Sequence, residues 1–394
     1  MLSRRTFIKA SAFGLLQFSS HLLLGCGNRS APKALEPANA LENIGPLLSA
    51  DENGVMLPAG FSSRIIARSG SQPYIGSAYS WHSAPDGGAT FRTADNGWIY
   101  VSNSEKGNNS GGVGAIRFDA AGNIVDAYSI LENSNLNCAG GATSWNTWLS
   151  CEEHDNGIVW ECDPYGQRLP IQRPALGVFA HEAAALDTNT NNIYLTEDKS
   201  DGCLYRFVPD ALISAGVADL NSGTLEVAVV DSKDLSVSWQ PVPNPDASSE
   251  PTRYQVSSCT PFNGGEGIVF YKGQVFFATK GDNKIWSYNT RINKLSVIYD
   301  KHTHPNPILS GVDNITLTSG GEIVVGEDGG DLQVVAITKN NTLIPLAQLK
   351  GHEHSEVTGP AFSPDGKRLY FSSQRGTSGS SGDGITFEIT GNFL

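Results

Sequence analysis

The 394 residues could form two or three domains of ordinary size or one large all-β domain, and 43 glycines against 2 methionines favour turns over long helices. Hydrophobic residues at 39% and charged residues at 17% exclude a disordered chain and a collagen. With 27 Lys and Arg against 40 Asp and Glu the formal charge is −13, which repels nucleic-acid phosphates and excludes a polynucleotide partner; the surplus is either solvated surface or carboxylate gathered to hold hard cations.

The chain opens Ser3-Arg4-Arg5-Thr6-Phe7-Ile8-Lys9, followed by a mildly apolar stretch to Gly25 that is too short and too Ser-rich to span a bilayer. This resembles a twin-arginine export signal, and Leu23-Leu24-Gly25-Cys26 resembles a lipobox. Residues 1–25 are therefore read as a lipoprotein signal peptide and Cys26 as the lipidated residue, which predicts a periplasmic or cell-surface protein anchored to membrane; cleavage near Ala38-Asn39-Ala40 to a soluble product is the alternative. Residues 26–54, rich in Ala, Pro, Asn and Glu without periodicity, read as a flexible tether, and residues 55–394 as a single domain. Beyond Cys26 stand Cys138, Cys151, Cys162, Cys203 and Cys259, an odd number that leaves at least one thiol unpaired.

The domain repeats. Gly87-Gly88-Ala89-Thr90 precedes the strand-like Trp98-Ile99-Tyr100-Val101-Ser102-Asn103-Ser104-Glu105, and Gly140-Gly141-Ala142-Thr143 precedes Trp148-Leu149-Ser150-Cys151-Glu152-Glu153. Looser copies begin at His181-Glu182, Gly265-Glu266, Val312-Asp313-Asn314 and Glu356-Val357-Thr358-Gly359-Pro360. Within each, a short strand meets a polar turn such as Asp95-Asn96-Gly97 or Pro364-Asp365-Gly366 and a β-branched or aromatic strand follows. Six sheets of about four strands at this spacing predict an all-β, six-bladed β-propeller. The wide interval between Glu182 and Glu266 places an insertion, residues 208–262, between the third and fourth repeats; seven blades is the competing count.

A propeller brings matching positions of successive blades together around its axis. Glu105, Glu152, Glu197 and Glu327 end second strands, while Glu182, Glu266, Asp313 and Glu356 begin first strands, so these acids are expected to face one another. Like charges packed this way repel by roughly 1 kcal/mol or more per close pair, and cations relieve them; oxygen-only ligation suits calcium. Cys138, at the entry of the second repeat, is either a small buried cysteine or a thiolate for a softer transition metal. The other four cysteines allow three pairings, Cys162 with Cys203 among them. His302-x-His304 and His352-x-His354 read as solvated loops, and no serine-nucleophile elbow, phosphate-cradling loop or dinucleotide fingerprint is present.

Asn137-Cys138-Ala139-Gly140-Gly141 with Trp148-Leu149-Ser150-Cys151-Glu152-Glu153, then His181-Glu182, Asp313-Asn314 and Thr358-Gly359-Pro360 with Ser363-Pro364-Asp365-Gly366, resemble the PhoX-type alkaline phosphatases over roughly residues 55–394. The resemblance implies a six-bladed propeller whose channel holds calcium and iron, with the cysteine thiolate on iron. Cys138, Glu152, Glu182, Glu266, Asp313 and Glu356 become the implied ligands, with Glu105, Glu153, Glu197 and Glu327 as further candidates. The implied activity is hydrolysis of small phosphate monoesters, clustered cations drawing charge from the phosphoryl oxygens. Two stretches depart from the family pattern. Gly264-Gly265-Glu266 stands where Arg-Pro-Glu is usual, and Gln374-Arg375-Gly376 where His-Pro is frequent, so Arg375 is the expected catalytic guanidinium. The expected partners are a small phosphorylated substrate and, through Cys26, the membrane, with the protein a monomer. A calcium-dependent lactonase or esterase and a non-catalytic, lipid-tethered binding propeller are the competing functions.

Overall fold

The computed structural model describes residues 40–393. The twin-arginine leader, Cys26 and most of the expected tether lie outside the described residues.

Six sheets follow one another along the chain, each running from an innermost strand outwards. The innermost strands are Pro85–Arg92, Asn137–Ala142, His181–Leu186, Gly265–Tyr271, Val312–Leu317 and Val357–Phe362, one per blade. This is the predicted six-bladed propeller. The second strands carry runs such as Trp98-Ile99-Tyr100-Val101 and are buried on both faces, because each blade packs between two neighbours; their hydrophobicity is therefore continuous rather than alternating. Six apolar clusters fill the spaces between successive blades. Between blades 6 and 1, for example, Tyr100 stacks on Tyr370 at 4.9 Å, and between blades 5 and 6 Val324 and Val334 meet Leu369 and Phe371.

The ring closes through the N-terminal part of the domain. Ser62–Arg68 forms the outermost strand of blade 6, pairing with Ile385–Thr390 near the C-terminus. Val55–Met56 adds a fifth strand to blade 5 against Leu343–Leu349. Residues 40–54, expected as the end of a free tether, are instead docked on the propeller. Leu41 is 1% exposed within the cluster between blades 5 and 6, and Leu48 donates its backbone N–H to Leu57 at 2.9 Å. A leucine that can be buried at a blade seam stabilises the compact state, and composition alone did not reveal it.

The insertion lies where the interval placed it. Blade 3 carries a small hairpin, Leu212–Ser214 with Val217–Ala218, and a fifth strand, Val237–Pro241, so the insertion forms no seventh blade among the described residues. The loop that returns to blade 4 is tied by a disulfide between Cys203 and Cys259; Cys162, considered as the partner of Cys203, is a buried free thiol in blade 2, as are Cys138 and Cys151. Among the described residues no helix is long and apolar enough to cross a membrane.

Every innermost strand carries a register shift near its start, between Pro85 and Gly88, Asn137 and Gly140, His181 and Ala184, Gly265 and Ile268, Val312 and Ile315, and Thr358 and Ala361. Such bulges re-aim side chains, and here they occur where six strands crowd one axis. The crowding explains two glycines. A Cβ at Gly87 would lie 2.5 Å from the Ala139 Cα of the next blade, and Gly359, at φ +60°, would carry one 2.5 Å from the Asp86 carbonyl oxygen.

Candidate metal centre in the propeller channel

In each blade the last paired residues at this end of the two inner strands are Pro85 with Ser104, Asn137 with Glu152, His181 with Glu197, Gly265 with Thr279, Val312 with Glu327, and Val357 with Ser373. Strand side chains alternate in direction, so the next residue along points the other way. On the first strands that next residue is Asp86, Cys138, Glu182, Glu266 or Asp313, with Glu356 supplying an acid in blade 6 from just before its pair. On the second strands it is Glu105, Glu153, Asp198, Lys280, Asp328 or Gln374.

These side chains converge. Four groups have their ligand atoms within 4.8 Å of one another: Cys138 with Glu153 and Glu182; Glu182 with Glu266 and Asp313; Asp313 with Asp328 and Glu356; and Asp86 with Glu105 and Glu356. Shared members link the four into one centre. Of the expected ligands, Cys138, Glu105, Glu153, Glu182, Glu266, Asp313 and Glu356 are brought together, and Asp86 and Asp328 join them unpredicted.

Glu152, Glu197 and Glu327 belong to none of these groups among the described residues, which corrects their assignment as ligands. Each instead accepts the backbone N–H six residues on: Ile158 at 3.3 Å, Cys203 at 3.1 Å and Gln333 at 2.9 Å. Glu152 also accepts from Asn135 N–H at 3.0 Å and Glu327 from Ser310 N–H at 2.7 Å, while Glu197 takes Tyr205 Oη at 2.8 Å and Arg253 Nη1 at 3.0 Å. They pin the loops after the second strands. His352, read as solvated, is likewise buried, its Nδ1 2.8 Å from Ser373 Oγ.

Burial and mutual repulsion give the centre its electrostatic character. Desolvation, reinforced by neighbouring acids, drives Asp86, Glu182 and Glu266 well above the carboxylate range. Desolvation with Glu105 and Asp198 raises Glu153 to about 8, and desolvation with Asp328 and Asp313 raises Glu356 to about 10. Asp313 rises only to about 6, because the Lys280 ammonium opposes the effect of burial. The Cys138 thiol is pushed far up by burial and by Asp86 and Glu182. Without a cation the channel therefore retains protons.

Three side chains bond to acids of the ring, two of them cationic. Gln374 Nε2 donates to Asp86 Oδ2 and to Glu105 Oε2, both at 2.6 Å. Lys280 Nζ lies 2.9 Å from Glu266 Oε1 and 3.4 Å from Asp328 Oδ2. Arg375, the predicted catalytic guanidinium, is at the rim with its side chain 36% exposed and Nη2 2.6 Å from Glu356 Oε1. Glu182 Oε2 is buried with no hydrogen-bond partner. A buried lone pair without a partner, beside a thiol and a second carboxylate, fits a metal ligand awaiting its ion. A cavity of about 600 Å³ elsewhere along the inner strands is lined by residues such as Gly88, Ala142, Ala184, Phe270 and Leu317, with no carboxylate among its lining residues.

The family model for alkaline phosphatase PhoX matches residues 154–306 and 271–376, which together span more than half of the chain. The chain belongs to the PhoX family. Among solved structures, Pseudomonas fluorescens PhoX in complex with vanadate, a transition state analogue, superimposes with a TM-score of 0.72 at 17% identity, over 88% of this chain and 97% of that one. XC5397 of Xanthomonas campestris, a gluconolactonase, follows the same path with a TM-score of 0.50 at 12% identity, over 88% and 98% of the two chains. At such identities these likenesses establish the propeller fold. No curated protein matches the chain. Within this PhoX-family chain, the two Gly-Gly-Ala-Thr words lie at an offset of 53, whereas the strand pairing equates Pro85 with Asn137 and hence the unpredicted Asp86 with Cys138; the unpredicted Asp328 directly follows Glu327, which ends its strand. The paired acids Glu152-Glu153, Glu197-Asp198 and Glu327-Asp328 were the signal that could have revealed Asp328.

Proposed function

We propose that this PhoX-family propeller hydrolyses small phosphate monoesters with a calcium and iron centre in its channel. The observation that carries the reading is the convergence of the Cys138 thiol with Glu153 and Glu182 within 4.8 Å, inside a ring of further carboxylates. A sulfur donor suits iron, and all-oxygen groups of variable geometry suit calcium. When bound, the cations withdraw charge from the phosphoryl oxygens. The chain's own residues do the rest. Asp86, Glu105, Glu153, Glu182, Glu266, Asp313, Asp328 and Glu356 form the fixed acidic array around the cations, and Gln374 orients Asp86 and Glu105 from between them. Arg375 holds Glu356 and presents its remaining N–H groups at the rim, where a phosphoryl oxygen accepts them. Glu152, Glu197 and Glu327 keep the surrounding loops rigid.

In this reading the protein works outside the cytoplasm as a monomer, exported by the twin-arginine leader and held to membrane through Cys26. Elemental analysis of the purified protein with p-nitrophenyl phosphate turnover tests it. Iron plus calcium with turnover is the expected result; calcium alone with lactone cleavage supports the lactonase reading, and bound metal with neither activity supports a binding scaffold.

A further inference from the structure

Five of the six blades place a Glu, Asp or Gln at the channel-facing position after the second strand: Glu105, Glu153, Asp198, Asp328 and Gln374. Blade 4 places Lys280 there. The backbone at this point is fixed, since Lys280 N–H bonds the Gly264 carbonyl at 2.8 Å and Gly281 N–H that of Asn263 at 3.0 Å. The side chain therefore enters the ring from the same level as the acids of the other blades. Its ammonium reaches Glu266 at 2.9 Å and Asp328 at 3.4 Å. Glu266 belongs to one of the four ligand groups and Asp328 to another, and those two groups share Asp313. The amine thus sits at the junction of two positions that would otherwise each attract a metal ion.

We infer that Lys280 is a resident cation of the centre, its ammonium occupying the Glu266–Asp313–Asp328 corner in place of one metal ion. The inference rests on the metal-centre reading above and deepens it. An ammonium is a compact point charge with three donors, and carboxylates that bind a hard cation bind it on similar terms. A divalent ion placed against the same oxygens would meet the amine's positive charge at contact distance, so the corner holds one or the other. Loading then concentrates on the groups that Lys280 does not touch, Cys138–Glu153–Glu182 and Asp86–Glu105–Glu356.

The experiment is a calcium titration of the metal-depleted full-length protein by calorimetry, with elemental analysis of the loaded protein, for wild type, Lys280→Arg, Lys280→Gln and Lys280→Glu. Circular dichroism confirms that each is folded. Lys280→Arg is expected to bind the wild-type number of ions, and Lys280→Gln and Lys280→Glu one more calcium per chain. Should the glutamate variant fail to fold, the near-isosteric glutamine carries the test. Equal ion counts in wild type, glutamine and glutamate variants overturn the inference while leaving the metal centre standing. So does an anomalous-scattering peak within coordination distance of Glu266 and Asp328 in the loaded wild type. A wild-type protein that binds no metal overturns the metal-centre reading itself, and this inference with it.

Discussion

Glu152 and Glu153 are adjacent acids at the end of one strand, and replacing each in turn separates loop anchoring from cation binding. Glu152 is 6% exposed and accepts two backbone N–H groups, from Asn135 at 3.0 Å and Ile158 at 3.3 Å. Glu152→Ala leaves both donors without a partner, at about 1–3 kcal/mol each and so roughly 2–6 kcal/mol in all. With an unfolding entropy of about 2.1 cal/mol/K per residue, a domain of this size loses roughly 1–2 °C per kcal/mol, so the melting temperature falls by roughly 3–8 °C, with or without metal. Glu153 behaves oppositely. Burial, Glu105 and Asp198 raise it from 4.5 to about 8, so above that pH the metal-free protein carries an ionised group that the fold disfavours. At about 1.4 kcal/mol per pH unit the cost is several kcal/mol. Glu153→Gln removes it, raising the melting temperature of the chelated protein at pH 9 and shrinking the rise that added calcium produces. Scanning fluorimetry at pH 9, with chelator and with calcium, reads both. A Glu152→Ala protein that loses its calcium response while Glu153→Gln keeps it would refute the register on which the whole centre is built.

The metal-free protein should lose stability as pH rises, the reverse of ordinary acid denaturation. Glu153 and Glu356 are raised in the fold to about 8 and about 10 and revert to 4.5 when unfolded, so their contribution is complete below pH 4.5 and is lost as pH climbs through the folded values, by about 1.4 kcal/mol per pH unit for each group while it titrates. Chelated protein melting higher at pH 9 than at pH 6 would contradict this, and saturating calcium is expected to flatten the profile. Cys138→Ser should abolish iron binding and turnover while far-ultraviolet circular dichroism stays unchanged; retained iron by elemental analysis removes Cys138 from the centre. Arg375→Ala removes a charge-assisted donor of about 1.5–3 kcal/mol, so kcat/KM for p-nitrophenyl phosphate should fall roughly 10- to 100-fold with the metal content preserved, and an unchanged kcat/KM would strip Arg375 of its substrate role.

The blades were legible in the sequence because each repeats an apolar strand, a polar turn and a second strand, with Tyr100, Tyr194 and Tyr370 buried on second strands. The insertion was legible as a gap in the period. The disulfide was not, since Cys203 and Cys259 are 56 residues apart and only the folded loop brings them together. Seven of the nine members of the centre were legible, and the wrong assignments, such as Glu152 for a ligand, have a physical cause. A strand reverses its facing with every residue, so an error of one position exchanges channel for loop. Gly-Gly-Ala-Thr in blades 1 and 2 matches by letter one residue away from where the strands match by hydrogen bond, the two first strands carrying the same bulge at the same place.

Once the pairing is known, the words at the end of the second strands become readable. Glu152-Glu153, Glu197-Asp198 and Glu327-Asp328 each put a loop-binding glutamate before a channel acid. In the other three blades a hydroxyl takes the first place: Ser104 before Glu105, Thr279 before Lys280, Ser373 before Gln374, with Ser104 Oγ donating to Ser83 O at 2.8 Å and Thr279 Oγ1 to Asp282 Oδ1 at 2.5 Å. The first residue of each pair satisfies local polar groups, whichever side chain it is, and the second sets the charge presented to the axis. The charge at the axis is therefore set at six second positions, each behind a first residue with a local structural role, and Lys280 and Gln374 are the two places where a nitrogen donor stands among the acids.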